Sequence, residues 1–147
     1  MPIMRVPVCE LMDDPIFVSE DDNLLTIIKR LLSTKKGCVL VNNKKGETIG
    51  IISDRDIQRL ILREGGLISP AITAKEFMVK PVITGQNTLS LAEADQIMHH
   101  HKINRLPIVE KEGSKKVIGI VNYETVHANL ITTFAKSWIE RNRTYQH

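Results

Sequence analysis

The same succession of residues occurs twice in this chain, and an internal repeat constrains a fold more than any other sequence feature. The segment Cys9–Met12, which reads CELM, corresponds to Lys75–Met78, which reads KEFM. Each of these segments is followed shortly by a proline and then by a β-rich stretch, at 16–18 in the first copy and 82–84 in the second. The chain is therefore predicted to contain two equivalent halves.

Each copy continues with the pattern of a helix, a pair of strands and a second helix. Apolar residues three and four positions apart are typical of a helix that buries one face. They predict the first helix of each copy, with Leu24, Ile27, Ile28, Leu31 and Leu32 in one stripe and Leu91, Ala94, Ile97 and Met98 in the other.

Apolar runs joined by charged, glycine-containing turns predict a β-hairpin after each of these helices. The predicted strands are 38–41 and 48–52 in the first copy and 105–109 and 117–121 in the second, and the closing helices are 54–63 and 123–140.

The repeating unit is thus β-α-β-β-α, which places the chain in the mixed α/β (α+β) class. A unit this small buries too little surface to be comfortably stable alone. We therefore expect the two halves to pack through their sheets with pseudo-two-fold symmetry into one globule. The predicted boundaries are 8–63 for the first repeat, 64–73 for a linker, 74–132 for the second repeat and 133–147 for a C-terminal helix extension and tail.

The stretch Gly50–Ile57, which reads GIISDRDI, combines a strand end with a helix start. Ser53 is a preferred helix N-cap, and Asp56 lies where the positive end of the helix dipole favours a carboxylate. A hydroxyl, a carboxylate and free N–H groups at one opening suit a phosphorylated ligand with sugar hydroxyls. The alternative reading of the same residues is an ordinary capped helix.

Composition narrows the possible functions. An apolar fraction of 42% and a charged fraction of 25% are ordinary for a globular protein. The aromatic content, one Trp, two Tyr and three Phe, offers few stacking platforms for single-stranded nucleic acid. Two cysteines are too few for a disulfide framework, and no apolar run is long enough to cross a membrane. We expect a cytoplasmic protein with no membrane partner.

The sequence resembles the tandem CBS domain pair. The resemblance is carried by Ser90–Met98 (SLAEADQIM), Ile103–Val109 (INRLPIV) and the two glycine-led strand ends, GIISDRD at 50–56 and GIVNYET at 119–125. It covers roughly residues 8–131. The resemblance implies a regulatory module rather than an enzyme, with no catalytic residues and no catalytic cofactor. It also implies a regulatory ligand that contains adenosine, such as AMP, ADP, ATP or S-adenosylmethionine, consistent with energy sensing.

In this family the ligand clefts are built crosswise between the repeats, so the resemblance implies a main cleft and a second cleft. In the main cleft Asp56 would take the ribose hydroxyls, Ser53 would lie near phosphate, and Arg55 or Arg105 would neutralise it. The second cleft is weaker, because Asn122 and Thr125 replace the hydroxyl and the carboxylate. The predicted main-cleft residues are Ile51, Ser53, Arg55, Asp56, Met78, Val82, Ile103, Asn104, Arg105 and Pro107. The predicted second-cleft residues are Ile16, Lys36, Gly37, Cys38, Val39, Val121, Asn122 and Thr125.

The resemblance also implies a homodimer, for which Ile57, Leu60 and Ile61 are predicted to supply an exposed apolar helix face, and an effector on another chain. The segment after Phe134, which contains Trp138 and Ile139, predicts an apolar face that docks on its own chain or on a partner. Two alternatives remain open. The net charge of +3 permits a nucleic-acid-associated module, and the chain could be a structural dimer with vestigial clefts.

Two further clusters invite a metal hypothesis, for which we expect no site. His99, His100 and His101 are consecutive on a predicted helix, where their side chains diverge and cannot all face one ion. The acidic residues Asp13, Asp14, Glu20, Asp21 and Asp22 flank a turn and a helix start, where the helix dipole accounts for them.

Overall fold

A computed structural model describes residues 6–34 and 36–143 of the chain. It contains the predicted succession of elements in both repeats. In the first repeat these are β1 (Phe17–Ser19), α1 (Leu24–Thr34), β2 (Cys38–Asn42), β3 (Thr48–Ser53) and α2 (Asp54–Arg63). A short helix, α3 (Ala74–Phe77), follows, and the second repeat comprises β4 (Gly85–Gln86), α4 (Leu91–His101), β5 (Arg105–Val109), β6 (Val117–Asn122) and α5 (Tyr123–Asn142).

The strands form two three-stranded sheets in the described chain, ordered β1-β2-β3 and β4-β5-β6. In each sheet the first strand runs parallel to the second, and the second pairs antiparallel with the third as a hairpin. The registers match, because Cys38 pairs with Ser53 in one sheet and Arg105 pairs with Asn122 in the other. The mixed α/β class and the two repeats are therefore confirmed.

The described chain divides into two compact units that do not coincide with the sequence repeats. The first unit is Pro15–Val82, and the second joins the described residues up to Asp14 with those from Ile83 onward. The opening segment of each repeat thus belongs to the unit formed by the other repeat. The predicted boundaries of the repeats describe which stretches of the sequence correspond to each other, and they stay a prediction. Residues 35 and 144–147 lie within those boundaries but outside the described part of the chain.

Backbone hydrogen bonds attach each opening segment to the last strand of its unit. Val79 and Ile51 exchange two bonds of 2.9 and 3.0 Å in the first unit, and Asp13 and Ile120 exchange two of 2.8 and 2.9 Å in the second. A methionine precedes each bridge and lies over a strand glycine. A Cβ atom on Gly50 would come within 2.7 Å of Met78 Cγ, and one on Gly119 within 2.8 Å of Met12 Cγ. Glycine is needed at both places for this close approach.

Each unit has its own apolar core beneath these strands. In the first unit Leu24, Ile27 and Leu31 of α1 are buried with the strand residues, together with Ile57 and Leu60 of α2. In the second unit Leu91, Ala94 and Met98 of α4 are buried, as predicted, together with Val126 of α5.

Three sequence predictions about these elements are wrong. Leu32 is 76% exposed, because eight residues at 100° each carry it 80° around the helix from Leu24. Ile57 and Leu60 are buried in the first core rather than forming an exposed dimer face, and only Ile61 of the three is exposed. The strand predicted at 82–84 lies at Gly85–Gln86 instead, because three residues separate Pro81 from the first paired residue, Gly85, whereas one separates Pro15 from Phe17.

Candidate ligand site

The end of β3 and the start of α2 form a reciprocal capping box. Ser53 Oγ accepts a hydrogen bond of 3.1 Å from Asp56 N, and Asp56 Oδ2 accepts one of 2.9 Å from Ser53 N. The Ser53 hydroxyl also donates to Asp56 Oδ2 over 2.9 Å. Ser53 and Asp56, which are predicted to bind ligand, therefore both cap the start of α2. The interpretation of these residues as a helix cap is confirmed, and it does not exclude a role in ligand binding.

The capping box leaves one oxygen of Asp56 outside these bonds. Asp56 Oδ1 lies 3.9 Å from Arg59 NH1, one turn along α2. The Arg59 side chain is 71% exposed whereas that of Asp56 is 19% exposed, so the guanidinium is in solvent and the contact is weak. A carboxylate oxygen has lone pairs for more than one donor. Asp56 can therefore keep its capping role and still accept a hydrogen bond from a ligand hydroxyl through Oδ1.

Arg59 is a neighbour that the sequence analysis missed. Its signal was available, because opposite charges three residues apart on a helix lie on the same side. Arg55, which was predicted to neutralise phosphate, is exposed in the first turn of α2, and its backbone N–H is bonded to Asp54 Oδ1 over 2.7 Å. The first two turns of α2 thus carry two arginines within one turn of Asp56.

Two further groups border this helix start. Cys38 pairs with Ser53 across the sheet, and the carbonyl oxygen of Gly37 accepts from Asp54 N over 2.9 Å. Sequence reasoning assigned Gly37 and Cys38 to the second cleft, which stays a prediction, and both lie against the end of β3 in the first unit. Buried Val39 and half-buried Ile16 belong to the same unit, as does exposed Lys36.

The first unit holds six of the ten residues predicted for the main cleft. Ile51 is half-buried on β3 and bridged to Val79, while half-buried Met78 covers Gly50. Val82 is half-buried at the end of the unit. Ile51, Met78 and the Ser53–Asp56 box therefore lie at one strand end and on the segment paired with it.

The other four predicted residues belong to the second unit. Ile103 is half-buried there and donates its N–H to Met98 O over 2.9 Å. The carbonyl of exposed Asn104 accepts from Tyr123 N over 2.8 Å. Arg105 is half-buried at the start of β5, and Pro107 is buried and paired with Ile120. Their joining with the first set in one cleft stays a prediction.

The equivalent helix start in the second unit is capped by different chemistry. Asn122 Oδ1 accepts from Thr125 N over 2.8 Å at the start of α5, and Val121 before it is buried in the second core. Thr125 has a hydroxyl where Asp56 has a carboxylate, so it does not offer two acceptor oxygens. After this end of β6, the position equivalent to Asp56 therefore lacks the carboxylate that a sugar diol prefers.

Two of the acidic residues that could have held a cation, Asp21 and Asp22, have structural partners. Asp21 accepts from Lys75 Nζ over 2.9 Å, and Asp22 accepts from Ser19 N over 2.8 Å. The hydrogen bond with Lys75, followed by its charge, lowers the pKa of Asp21, and the same bond raises the pKa of Lys75. Within residues 6–34 and 36–143, no group of three His, Cys, Asp or Glu side chains is placed to hold a metal ion.

The histidines close α4 at its C-terminus, as the sequence predicts. His99, His100 and His101 are all exposed in the last turn, and the rings of His100 and His101 meet edge to face with centroids 4.9 Å apart. Lys102 ends the helix in the left-handed conformation with φ of 55°. The structural role that the sequence predicts for these histidines is consistent with their exposed positions at the helix end, and it stays a prediction.

The model of the CBS domain family matches two segments of the chain, residues 8–63 and 74–130. The chain belongs to the CBS domain family. The two matched segments correspond to the two repeats, which accounts for the equivalent sheets and helix starts described above.

One curated relative is arabinose 5-phosphate isomerase KpsF of Escherichia coli O6:H1, which is 33% identical over 104 residues. The match covers 71% of this chain and 31% of that protein, so the chain spans about a third of the enzyme's length. The activity of the enzyme therefore does not transfer to this CBS protein.

Two solved CBS structures share the fold at low identity. The CBS protein PAE2072 from Pyrobaculum aerophilum, complexed with AMP, is 19% identical with a TM-score of 0.74 over 86% of this chain and 99% of its own. The CBS domain pair of MJ0100, in complex with 5′-methylthioadenosine and S-adenosyl-L-methionine, is 22% identical with a TM-score of 0.72 over 84% of this chain and 94% of its own.

Among the described residues, no helix is long and apolar enough to cross a membrane.

Proposed function

We propose that this CBS protein is a regulatory module that binds an adenosine-containing ligand, namely AMP, ADP, ATP or S-adenosylmethionine, and communicates its presence to a partner protein. The observation that carries the proposal is the geometry of Asp56. One carboxylate oxygen is fixed by Ser53, which orients the group, while Oδ1 faces only the exposed Arg59 at 3.9 Å among the interactions described above. An oriented, partly buried carboxylate is suited to accept from ribose hydroxyls.

In this proposal Arg55 and Arg59 supply positive charge for a phosphorylated ligand. The backbone N–H groups of the first turn of α2 are not part of the proposal, because those of Asp54, Arg55 and Asp56 already donate within the protein. Met78 and Ile51 supply apolar contact for the base. Support also comes from the two solved CBS proteins, one of which binds AMP and the other S-adenosyl-L-methionine. The chain itself takes no catalytic part in this proposal.

The proposed signal is a shift in conformational population. A ligand favours one arrangement of the chain only if it binds that arrangement more tightly than the alternative. A partner that recognises the favoured arrangement then responds to the ligand concentration. The expected effect on the partner is limited by the ratio of the two ligand affinities.

A thermal-shift experiment with each of the four ligands tests the proposal. A ligand at 100 times its dissociation constant stabilises the chain by about 2.7 kcal/mol, which is readily measured as a rise in melting temperature. Asp56→Ala is expected to abolish that rise. Because this change also breaks a helix cap, the matched control is Glu93→Ala, which breaks the equivalent capping box of α4 at Ser90.

The two variants separate ligand binding from helix capping. Both should melt below the wild type without ligand, and only Glu93→Ala should keep the full ligand-induced rise. Loss of the rise in both variants, or in neither, would contradict the role given to Asp56. The contribution predicted for Arg105 is tested in the same assay, where Arg105→Ala should weaken the response to AMP more than that to uncharged 5′-methylthioadenosine.

A further inference from the structure

The last helix continues beyond the part of the chain that matches the CBS family. The match ends at residue 130, and α5 runs on to Asn142. Val126 is buried in the second core and Leu130 is packed against it. From Ile131 to Asn142 every residue is exposed or half-buried. This half of the helix is therefore not held by the core of its own unit.

Large apolar side chains nevertheless lie along this half of α5. Ile131, Phe134, Trp138 and Ile139 are 57%, 59%, 55% and 56% exposed. A helix that is not buried normally presents polar residues to solvent. Four large exposed side chains on three turns indicate a surface that is covered by something else.

The exposed residues follow the spacing of a coiled coil. Alternating steps of three and four residues define the a and d positions of a heptad. Starting at Glu124, such steps reach six exposed residues of α5, which are Glu124, His127, Ile131, Phe134, Trp138 and Arg141. In this frame Ile131 and Trp138 are at a, Phe134 is at d, and Ile139 is at b, outside the seam.

This row of residues is complementary to itself when two helices run in opposite directions. With a two-fold axis between Thr132 and Thr133, Ile131 meets Phe134 of a second copy and Trp138 meets His127. The same register brings Glu124 opposite Arg141 at both ends. A parallel pair would instead place Glu124 on Glu124 and Arg141 on Arg141, and like charges opposed in an interface are unfavourable.

We propose that α5 is a dimerisation helix, which pairs with α5 of a second copy of this chain in antiparallel orientation through these six residues. The interface is isologous, as expected for a two-fold dimer. It replaces the dimer face at Ile57, Leu60 and Ile61 that the sequence predicts, of which the first two are buried in the first core. The proposal does not depend on ligand binding.

Sedimentation equilibrium of the full chain and of two isoleucine variants tests the seam. Ile131→Ala and Ile139→Ala remove the same side chain from the same helix at almost equal exposure, 57% and 56%. Only Ile131 is in the seam. We expect Ile131→Ala to weaken the dimer by at least roughly tenfold in dissociation constant, because it is lost from both copies, and Ile139→Ala to leave it nearly unchanged.

A charge exchange tests the orientation. Glu124→Arg alone and Arg141→Glu alone each oppose like charges in the antiparallel pair, so each variant should dimerise more weakly than the wild type. An equimolar mixture of the two should form a heterodimer with both contacts restored, and the double variant in one chain should form a homodimer again. Circular dichroism and thermal melting verify that each variant is folded.

Three results would overturn the proposal. The wild type could be monomeric at all concentrations, in which case a different partner covers α5. Ile131→Ala and Ile139→Ala could weaken the dimer equally, or both leave it intact, which would move the interface away from the seam. Failure of the mixture and of the double variant to restore association would exclude the antiparallel register.

Discussion

The end of β3 and the end of β6 have the same backbone and different chemistry. At both, a strand leads into a helix, a residue of the preceding strand pairs with the capping residue, and a methionine from the other repeat's opening segment covers a glycine. Ser53 and Asp56 then form a capping box with a carboxylate at one end, whereas Asn122 caps the other with Thr125 in the carboxylate position. The comparison separates what the fold requires from what a ligand requires.

The first helices of the two repeats show the reverse distribution. Asn23 Oδ1 accepts from Thr26 N over 2.9 Å at the start of α1, without a carboxylate, while Ser90 and Glu93 form a capping box at α4. The two longer helices of each repeat thus have one asparagine cap and one carboxylate box, in opposite order, and the short helix α3 has a further box of Thr73 and Glu76. A carboxylate is therefore interchangeable with an uncharged cap for starting these helices. The carboxylate of Asp56 at α2 is available for a second role, which is ligand binding.

The largest expected effect tests whether the backbone has the same arrangement at the ends of β3 and β6. Gly50→Ala and Gly119→Ala each place a Cβ against the overlying methionine, and overpacking of this kind costs about 1–3 kcal/mol. We expect similar losses at both positions, measured by urea unfolding. In a Met78→Ala background, Gly50→Ala should cost clearly less. A large loss of unfolding free energy at only one glycine would mean that the backbone arrangements at the two strand ends differ.

The next effect compares the two caps. Ser53→Ala removes a hydroxyl that both accepts from Asp56 N and donates to its carboxylate, and we expect it to cost roughly 2 kcal/mol. Asn122→Ala removes a single capping bond and should cost roughly 1 kcal/mol. Unfolding free energies from denaturant titration decide between them. Equal costs would show that the reciprocal bonds of the first cap add nothing.

A smaller effect is expected when the helix start after β6 is given a carboxylate like that of Asp56 after β3. Thr125→Asp places a carboxylate in the first turn of α5, where the helix dipole should stabilise it by about 0.3–1 kcal/mol. Thr125→Asn is the matched control, because it has similar size and no charge. The gain should shrink at high salt. A gain shared by both variants would point to side-chain hydrogen bonding rather than to charge.

The smallest effect is a pH dependence that distinguishes α4 from α1. The backbone N–H of Ser90, and then its hydroxyl, lower the pKa of Glu93 below its ordinary 4.5. The bond is therefore fully stabilising above about that pH, and its contribution is lost as the pH falls through the lower pKa of the folded state. The melting temperatures of the wild type and Glu93→Gln should converge in acid.

The control for this pH dependence is Asn23→Ala, which removes the uncharged cap of α1. The difference in melting temperature between Asn23→Ala and the wild type should change little over the same pH range, since neither Asn23 nor Thr26 has a group that titrates there. Convergence of both variants with the wild type would assign the effect to general acid unfolding.

Most of the secondary structure was predictable from local patterns. The hairpins and both closing helices follow from apolar runs, glycine-containing turns and capping residues, all of which act over a few residues. The exchange of opening segments was not predictable in this way, because the contacts of Met78 with Gly50 and of Met12 with Gly119 depend on tertiary structure. The burial of Ile57 and Leu60 was predictable but missed, because the sequence shows that α2 has few other apolar residues to place against its sheet.

The site was only partly predictable. Ser53 and Asp56 were found from their spacing, which is shared by a helix cap and a ligand site. The sequence did not reveal that one carboxylate oxygen is held by the cap while the other faces Arg59. That distinction is geometric, and it is what permits both roles in one residue.

The central claim is most directly tested by calorimetric titration of the chain with AMP, and then with S-adenosylmethionine, in the wild type and in Asp56→Asn. The asparagine keeps an oxygen for the Ser53 cap and removes the negative charge. The account predicts one equivalent of one of these ligands per chain, and at least roughly tenfold weaker binding in the variant, corresponding to about 1.4 kcal/mol. Two equivalent sites or unchanged affinity in Asp56→Asn would contradict it, and so would no binding of these two compounds followed by no binding of ADP or ATP.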